Sequence, residues 1–247
     1  MGLVELTVMS DLLKLIEQRH SSRDPFDPDR PVAKEDLRRI IEAARWAPTA
    51  HNMQNFDIIV VDDKGVLEEI GKIKSRVPEA FIRENYQQLS FSEKELLQKK
   101  VGILGTGFPP DWRDAAKLDK AVRENKPSPL SQRIRGSPVL LIVVYDARKR
   151  APASEGDVLG FMSLGCVMEN MWLMAQSLGI SAQVLSVFSK DAVDKEVKRT
   201  LRVPEHMKVA FALRLGYPVP AAVKSLRVRR DAKALTHHNR FGNKDLG

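Results

Sequence analysis

The feature that most constrains the fold is an uninterrupted apolar run rich in β-branched residues, Val139 to Tyr145. A run of this length and composition is typical of a β-strand buried on both faces. Both faces then need a covering layer, which indicates a sheet between helices. Three further strands are predicted at Phe56–Val61, Ser181–Val187 and Val209–Leu215. The predicted helices are Asp11–Gln18, Lys34–Trp46, Val66–Lys74, Val158–Leu178 and Asp191–Leu201. We therefore predict an α+β protein of three α/β/α layers, with a mixed sheet flanked by helices.

The segment Val158–Leu178 is apolar around nearly its whole circumference, so it is expected at the centre of the fold or at a subunit contact. It contains Glu169, Asn170 and Gln176, which favour a buried helix over a membrane span. At the start of the chain, Glu5 interrupts the apolar stretch that a signal peptide requires. We predict a cytoplasmic protein without membrane association.

The domain organisation is predicted to be one domain over residues 1–247. Within it, residues 75–137 carry a weaker pattern and are expected to form an excursion or lid, with a capping box at Ser92 and Glu95. The basic tail at about 218–247 is expected to be extended.

The charge balance and the cysteine count exclude several classes. The chain has 40 Lys and Arg against 32 Asp and Glu, a net charge of +8, but the two signs are interleaved. No helix-turn-helix, RNA-recognition or zinc module is present in the sequence, so no specific nucleic-acid binding is expected. A single cysteine, Cys166, excludes an internal disulfide and a cysteine metal cluster, and no metal site is predicted. A phosphate-binding P-loop motif is also missing.

Polar residues cluster in three places. The first cluster, directly after the first helix, provides two guanidiniums, an imidazole and hydroxyls, donors that suit a phosphate dianion. The second offers two amide side chains, which match a heterocycle with alternating donors and acceptors. Taken singly, each cluster is equally compatible with a solvated helix end, a turn or a charged terminus. The residues are Arg19, His20, Ser21, Ser22 and Arg23; Asn52 and Gln54; and, in the tail, Arg227, Arg229 and Arg230.

In this order the clusters make the chain resemble the FMN-dependent nitroreductase family. The matching stretches are R-H-S-S-R (19–23), A-A-R-W-A-P-T-A-H-N-M-Q-N-F (43–56), S-P-V-L-L-I-V-V-Y-D (137–146), G-C-V-M-E-N-M-W-L-M-A-Q-S-L-G-I (165–180) and A-L-R-L-G-Y-P (212–218) leading to R-V-R-R-D-A-K-A-L-T-H-H-N-R-F-G (227–242). The resemblance runs from about residue 11 to residue 242. The family usually carries Pro and an aromatic residue after the Asn-x-Gln, whereas Asn55 and Phe56 stand here.

The resemblance implies a nitroreductase-like fold and an intertwined homodimer whose cofactor ligands come from both chains. Arg19, His20 and Ser21 would hold the FMN phosphate and ribityl end, joined by Arg229, or by Arg227 or Arg230 in its place. Arg23 would approach the N1/C2 carbonyl edge of the flavin as electrostatic support, and Asn52 and Gln54 would bond the ring edge.

The implied activity is hydride transfer from NADH or NADPH through flavin N5 to a small-molecule acceptor such as a nitroaromatic compound or a quinone, by a ping-pong mechanism. No dedicated catalytic residue is then required, since the flavin does the chemistry. The alternatives are a flavin-binding module or sensor without turnover, and family members that carry out reductive dehalogenation or flavin-consuming oxidation. Four aromatic residues of the excursion either stack on planar substrates or only pack together: Phe81, Tyr86, Phe108 and Trp112.

Overall fold

A computed structural model describes residues 3–219 and 226–244. The helices in chain order are α1 (Leu3–Gln18), α2 (Lys34–Arg45), α3 (Lys64–Lys72), α4 (Glu79–Glu84), α5 (Glu93–Lys99), α6 (Leu118–Glu124), α7 (Ser131–Ile134), α8 (Val158–Ser177), α9 (Asp191–Leu201) and α10 (Ala232–Leu235). The strands are β1 (Phe56–Val61), β2 (Lys74–Ser75), β3 (Ser90–Phe91), β4 (Ile103–Leu104), β5 (Ser128–Pro129), β6 (Val139–Asp146), β7 (Ser181–Leu185) and β8 (Met207–Gly216).

The main sheet has the strand order β1-β6-β8-β7, and each neighbouring pair in it is antiparallel. Two-residue ladders join β2 to β5 in antiparallel and β3 to β4 in parallel orientation. In the main sheet, the central strand β6 is buried along nearly its whole length, as its apolar sequence predicts. The α+β prediction is confirmed.

The two faces of β6 lie in two separate cores, which produces the three layers. Val139, Leu141 and Val143 face the core that contains the buried residues of α2 and α8. Leu140 and Ile142 face the opposite core, which contains those of α3 and α9. Side chains of a strand alternate between its faces, so an apolar residue at every position requires apolar neighbours on both sides.

The long helix α8 is only partly buried. Its inner residues, among them Leu164, Val167 and Met171, pack against the sheet and α2, whereas Phe161 and Met162 are 53% and 61% exposed. By length and composition alone, Glu155–Ser177 could cross a membrane. In the structure, the inner face of this segment is buried against the sheet and α2.

Several predicted boundaries were wrong, among them those of α1, α3 and β7. Helix α1 begins at Leu3, not at Asp11, because no Gly or Pro interrupts the segment before it and Ser10 lies inside the helix. Helix α3 begins at Lys64, since the Asp63 side chain accepts a hydrogen bond from the Val66 amide at 2.9 Å and caps the helix. Strand β7 ends at Leu185, where a 3₁₀ turn begins.

The chain forms two compact units. The first contains residues 1–75 and 128–222, and the second contains residues 76–127 and 223–247. The main sheet and residues 128–137 of the excursion belong to the first unit, while the rest of the excursion and most of the tail belong to the second; a single domain stays a prediction.

The second unit has a small core of its own around Ile82, Leu118 and Ala121. The predicted capping box is confirmed, with the Ser92 hydroxyl and the Glu95 carboxylate each accepting a backbone N–H of the other residue. The tail was predicted to be extended, but its described part contains the short helix α10. The residue before α10, Asp231, accepts a hydrogen bond from Lys100 Nζ at 2.8 Å.

Candidate functional site

The first predicted cluster lies directly after α1, where the chain leaves the helix. The Arg19 amide still donates to the Leu15 carbonyl at 3.0 Å, and from there on the backbone is irregular. The Ser22 amide donates to the Ala182 carbonyl of β7 at 3.0 Å, and Ser22 is buried. The cluster is therefore fixed beside an edge strand of the main sheet.

Arg19 lies against α8. Its Nε is 3.3 Å from the Glu169 Oε1, and its guanidinium lies 4.5 Å from the centre of the Trp172 ring. The Trp172 indole N–H donates to the His20 carbonyl at 3.3 Å. One face of α8 thus positions both the side chain of Arg19 and the backbone that follows it.

Of the other side chains of the first cluster, those of His20, Ser21 and Arg23 reach solvent at least in part, whereas Ser22 is buried. Arg23 is exposed and Ser21 is half-buried, while the His20 Nδ1 lies 3.1 Å from the Gln18 carbonyl. The backbone carbonyl of Arg23 accepts a hydrogen bond from the Arg135 guanidinium. Backbone atoms of the cluster are bonded to the fold, so the side chains are presented from a fixed support.

The second cluster lies in the loop between α2 and β1, and its backbone is unusual. His51, Asn52 and Gln54 have φ angles of +51°, +52° and +44°. Non-glycine residues rarely adopt such angles, and each costs of order 1–3 kcal/mol that the surrounding structure must offset. Strain of this kind is concentrated at functional sites.

Several hydrogen bonds hold this strained loop. The Gln54 amide side chain donates to Asn52 Oδ1 at 2.8 Å. The Ala50 amide donates to the Ser163 hydroxyl of α8 at 2.9 Å, and that hydroxyl donates to the Leu159 carbonyl at 2.8 Å. Asn52 and Gln54 are exposed, so their remaining donors and acceptors face solvent.

Both clusters are thus attached to α8, at separate points. Ser163 holds the loop, while Glu169 and Trp172 hold the first cluster. Six to nine residues of α-helix correspond to about 9–14 Å along the axis. The structure does not place the amides of Asn52 and Gln54 against Arg19 within one chain.

The tail arginines belong to the second unit. Residues 226–231 have no regular secondary structure, and Arg229 Nη1 donates to the neighbouring Val228 carbonyl at 2.8 Å. That Arg227, Arg229 or Arg230 meets a phosphate stays a prediction.

The aromatic residues of the excursion contact one another. The rings of Phe81, Phe108 and Trp112 lie with their centres 5.9 to 6.5 Å apart, two pairs edge-to-face and one stacked. Such contacts account for these three rings as a packed cluster. Tyr86 is 37% exposed.

The first unit also contains an open cavity of about 460 Å³ between α8, the start of α9 and β8. Tyr145 and Phe161 lie on its wall with ring centres 6.1 Å apart. Burial raises the pKa of Tyr145, and the charges of Asp157 and Asp194 add to the effect. None of the predicted cofactor residues lines this cavity.

Sequence reasoning missed the residues that support the first cluster. Arg214 of β8 is completely buried and donates to the carbonyls of Ser22 and Asp24 at 2.7 and 2.8 Å. A charged residue inside the apolar run A-L-R-L-G was the available signal, since a buried charge must find partners.

The family is decided by a match over most of the chain. The sequence profile described as "Nitroreductase family" matches residues 16–217. The chain belongs to the nitroreductase family.

Relatives and solved structures agree with this assignment. An Archaeoglobus fulgidus protein with a provisional NADH dehydrogenase/NAD(P)H nitroreductase name is 24% identical over 210 residues, which cover 85% of this chain and 87% of that protein. A nitroreductase from Bacteroides fragilis, crystallised with bound FMN, superposes with a TM-score of 0.57 at 22% identity, covering 90% of this chain and 95% of the other. An iodotyrosine deiodinase bound to FMN and 3-iodo-L-tyrosine superposes with a TM-score of 0.57 at 20% identity, covering 93% and 100%.

These likenesses confirm the nitroreductase fold that the sequence resemblance implied. They also place the chain in a family of oxidoreductases with flavoprotein members. The solved structures that share this fold and contain FMN include a nitroreductase and an iodotyrosine deiodinase, so the fold alone does not select an acceptor.

Proposed function

We propose that this protein is an FMN-dependent oxidoreductase that transfers hydride from NADH or NADPH to a nitroaromatic, quinone or similar acceptor by a ping-pong mechanism. The observation that carries the proposal is the first cluster: two arginines, a histidine and a serine presented from a backbone that α8 and the sheet hold in place. We place the protein in the cytoplasm.

The donor sets suit the two ends of FMN. Guanidinium groups and hydroxyls can replace the water molecules that hydrate a phosphate dianion. Arg19, His20 and Ser21 would therefore hold the phosphate and ribityl end. Arg229, or Arg227 or Arg230 in its place, would join them. The amide groups of Asn52 and Gln54 would bond the ring edge, where carbonyl and N–H groups alternate. Their strained backbone is consistent with a binding role.

When bound, FMN supplies the hydride acceptor and donor at N5, so the protein has to bind the flavin, orient it and adjust its reduction potential. Arg23 would place a cation beside the N1/C2 edge, where negative charge develops on reduction, and so favour reduction of the flavin. Holding substrates over the ring is the second task of the chain.

A homodimer is part of the proposal. Helix α8 exposes Val158, Leu159, Phe161 and Met162 in its first turns, and Trp46 after α2 is 71% exposed. Apolar side chains grouped on one helix are typical of a covered surface. A second copy on this surface would bring the ligands of two chains to one cofactor.

The test is reconstitution with FMN, followed by anaerobic reduction. We expect FMN to bind the wild-type protein, NADH or NADPH to bleach the visible absorption of the flavin, and an added nitroaromatic or quinone to restore it. A protein that takes up no FMN would overturn the proposal. A protein that binds FMN but is reduced by neither nucleotide would instead be a binding module without turnover.

A further inference from the structure

Arg214 occupies a position that ordinarily belongs to an apolar residue. It lies in β8 between Leu213 and Leu215, pairs with Leu140 and Gln183 on the neighbouring strands, and has no exposed surface. Burying a guanidinium costs free energy unless its N–H groups are hydrogen-bonded.

The bonds of Arg214 go mainly to backbone carbonyls. Its Nη2 donates to Ser22 and Asp24 at 2.7 and 2.8 Å, its Nη1 donates to Ile134 at 3.0 Å, and its Nε donates to the Gln183 side chain at 2.8 Å. Burial lowers the pKa of Arg214 to about 10, the nearby Arg135 lowers it further, and Asp24 acts in the opposite direction. The residue remains a cation at neutral pH.

A second arginine completes the arrangement. The Arg135 guanidinium donates to the Arg23 carbonyl, so the carbonyls of three consecutive residues, 22 to 24, are held by two guanidiniums. The segment then continues to Phe26, whose ring lies 4.1 Å from the Arg214 guanidinium and whose amide donates to the Arg135 carbonyl at 2.8 Å.

This network fixes the direction in which Arg23 leaves the backbone. A segment outside helices and strands has no regular backbone hydrogen bonds to define its path. Here, hydrogen bonds from side chains fix the orientation of the peptide planes on both sides of Arg23. The Arg23 side chain itself is exposed. Its orientation toward a ligand therefore depends on bonds made by a residue of the central sheet.

We propose that Arg214 is a positioning residue for Arg23: its bonds to the Ser22 and Asp24 carbonyls keep the Arg23 guanidinium at the flavin edge. The inference rests on the proposed function, because that function places Arg23 beside the N1/C2 edge. Loss of the Arg214 guanidinium would leave FMN bound but weaken the preference of the site for reduced over oxidised flavin.

The test compares the midpoint potential of bound FMN in Arg214→Lys, Arg23→Ala and the double variant. Lysine keeps the charge but lacks the planar fork. We expect Arg214→Lys to reduce the preference for reduced over oxidised flavin by about tenfold, which is about 30 mV for a two-electron couple. In the Arg23→Ala background, the same change should have no further effect. Arg30→Lys is the matched control, since this arginine of the same loop stacks on Tyr217 at 3.7 Å.

If Arg214→Lys does not fold, Gln183→Leu is the second variant, since it removes only the partner of the Arg214 Nε. We expect Gln183→Leu to shift the midpoint potential of bound FMN by less than Arg214→Lys would, and to have no effect in the Arg23→Ala background. An unchanged potential, or an equal shift in both backgrounds, would overturn the positioning role while leaving the proposed function intact. A wild-type protein that binds no FMN would overturn the proposed function and this role together.

Discussion

Arg19 offers a direct measure of the proposed phosphate site, because the structure shows what it already contacts. Its Nε is 3.3 Å from Glu169, and the two side chains are 22% and 37% exposed. An ion pair this accessible is worth about 0–1 kcal/mol. A charge-assisted hydrogen bond to a phosphate contributes about 1.5–3 kcal/mol. The phosphate should therefore prevail over Glu169 in the competition for Arg19.

Two variants follow from this comparison and should act in opposite directions. Arg19→Ala removes the phosphate contact, and FMN should bind about ten- to a hundredfold more weakly. Glu169→Gln removes the competitor, and FMN should bind up to about fivefold more tightly. The control is Arg39→Ala, which breaks an exposed ion pair with Asp36 at 3.8 Å on α2.

The assay is a titration of apoprotein into FMN, in which the quenching of flavin fluorescence reports binding. It is carried out at low and at moderate salt. Salt screens exposed charges, so the wild-type dissociation constant should rise with salt more steeply than that of Arg19→Ala. Wild-type affinity in Arg19→Ala, together with no gain in Glu169→Gln, would refute the assignment of Arg19 to the phosphate.

Three further predictions concern assembly and stability. Phe161→Glu, on the exposed apolar part of α8, should convert a dimer to a monomer in light scattering, and an unchanged mass would exclude this surface from the interface. The hydrogen bonds from Arg148 lower the pKa of Asp146 in the folded protein well below its usual range. The ionised Asp146 therefore stabilises the fold above the pKa that it has in the unfolded chain, and this stabilisation is lost as the pH falls through its pKa in the folded protein. In urea unfolding, Asp146→Asn should accordingly be less stable than the wild type at neutral pH and approach the wild-type stability only in acid. Ile142→Ala should lower the free energy of unfolding by about 2–5 kcal/mol, whereas Val60→Ala, at a 37% exposed position of β1, should cost far less; equal losses would contradict the assignment of the core.

The layers of the fold could be predicted because the signal is local. The apolar run of β6 requires cover on both faces, and the stripe of Leu37, Ile40 and Ala44 on α2 marks a helix with one buried face. Errors arose at ends of elements, as at α1, where several starting points were compatible with the same pattern.

The types of residue at the candidate site were also evident in the sequence, because phosphate and a heterocycle require particular donors and acceptors. Their support was not. Ser22 and Arg214 are 192 residues apart in the chain, and no local pattern relates them. The same holds for Arg19 and Glu169, which meet only because α1 ends beside α8.

The sequence by itself determined the central strand, the covering helices and the donors that a flavin would need, since each depends on residues close together in the chain. Tertiary structure alone decided the left-handed backbone of Asn52 and Gln54 and the burial of the Arg214 guanidinium. Backbone strain and a buried charge persist only where contacts with distant segments offset their free-energy cost.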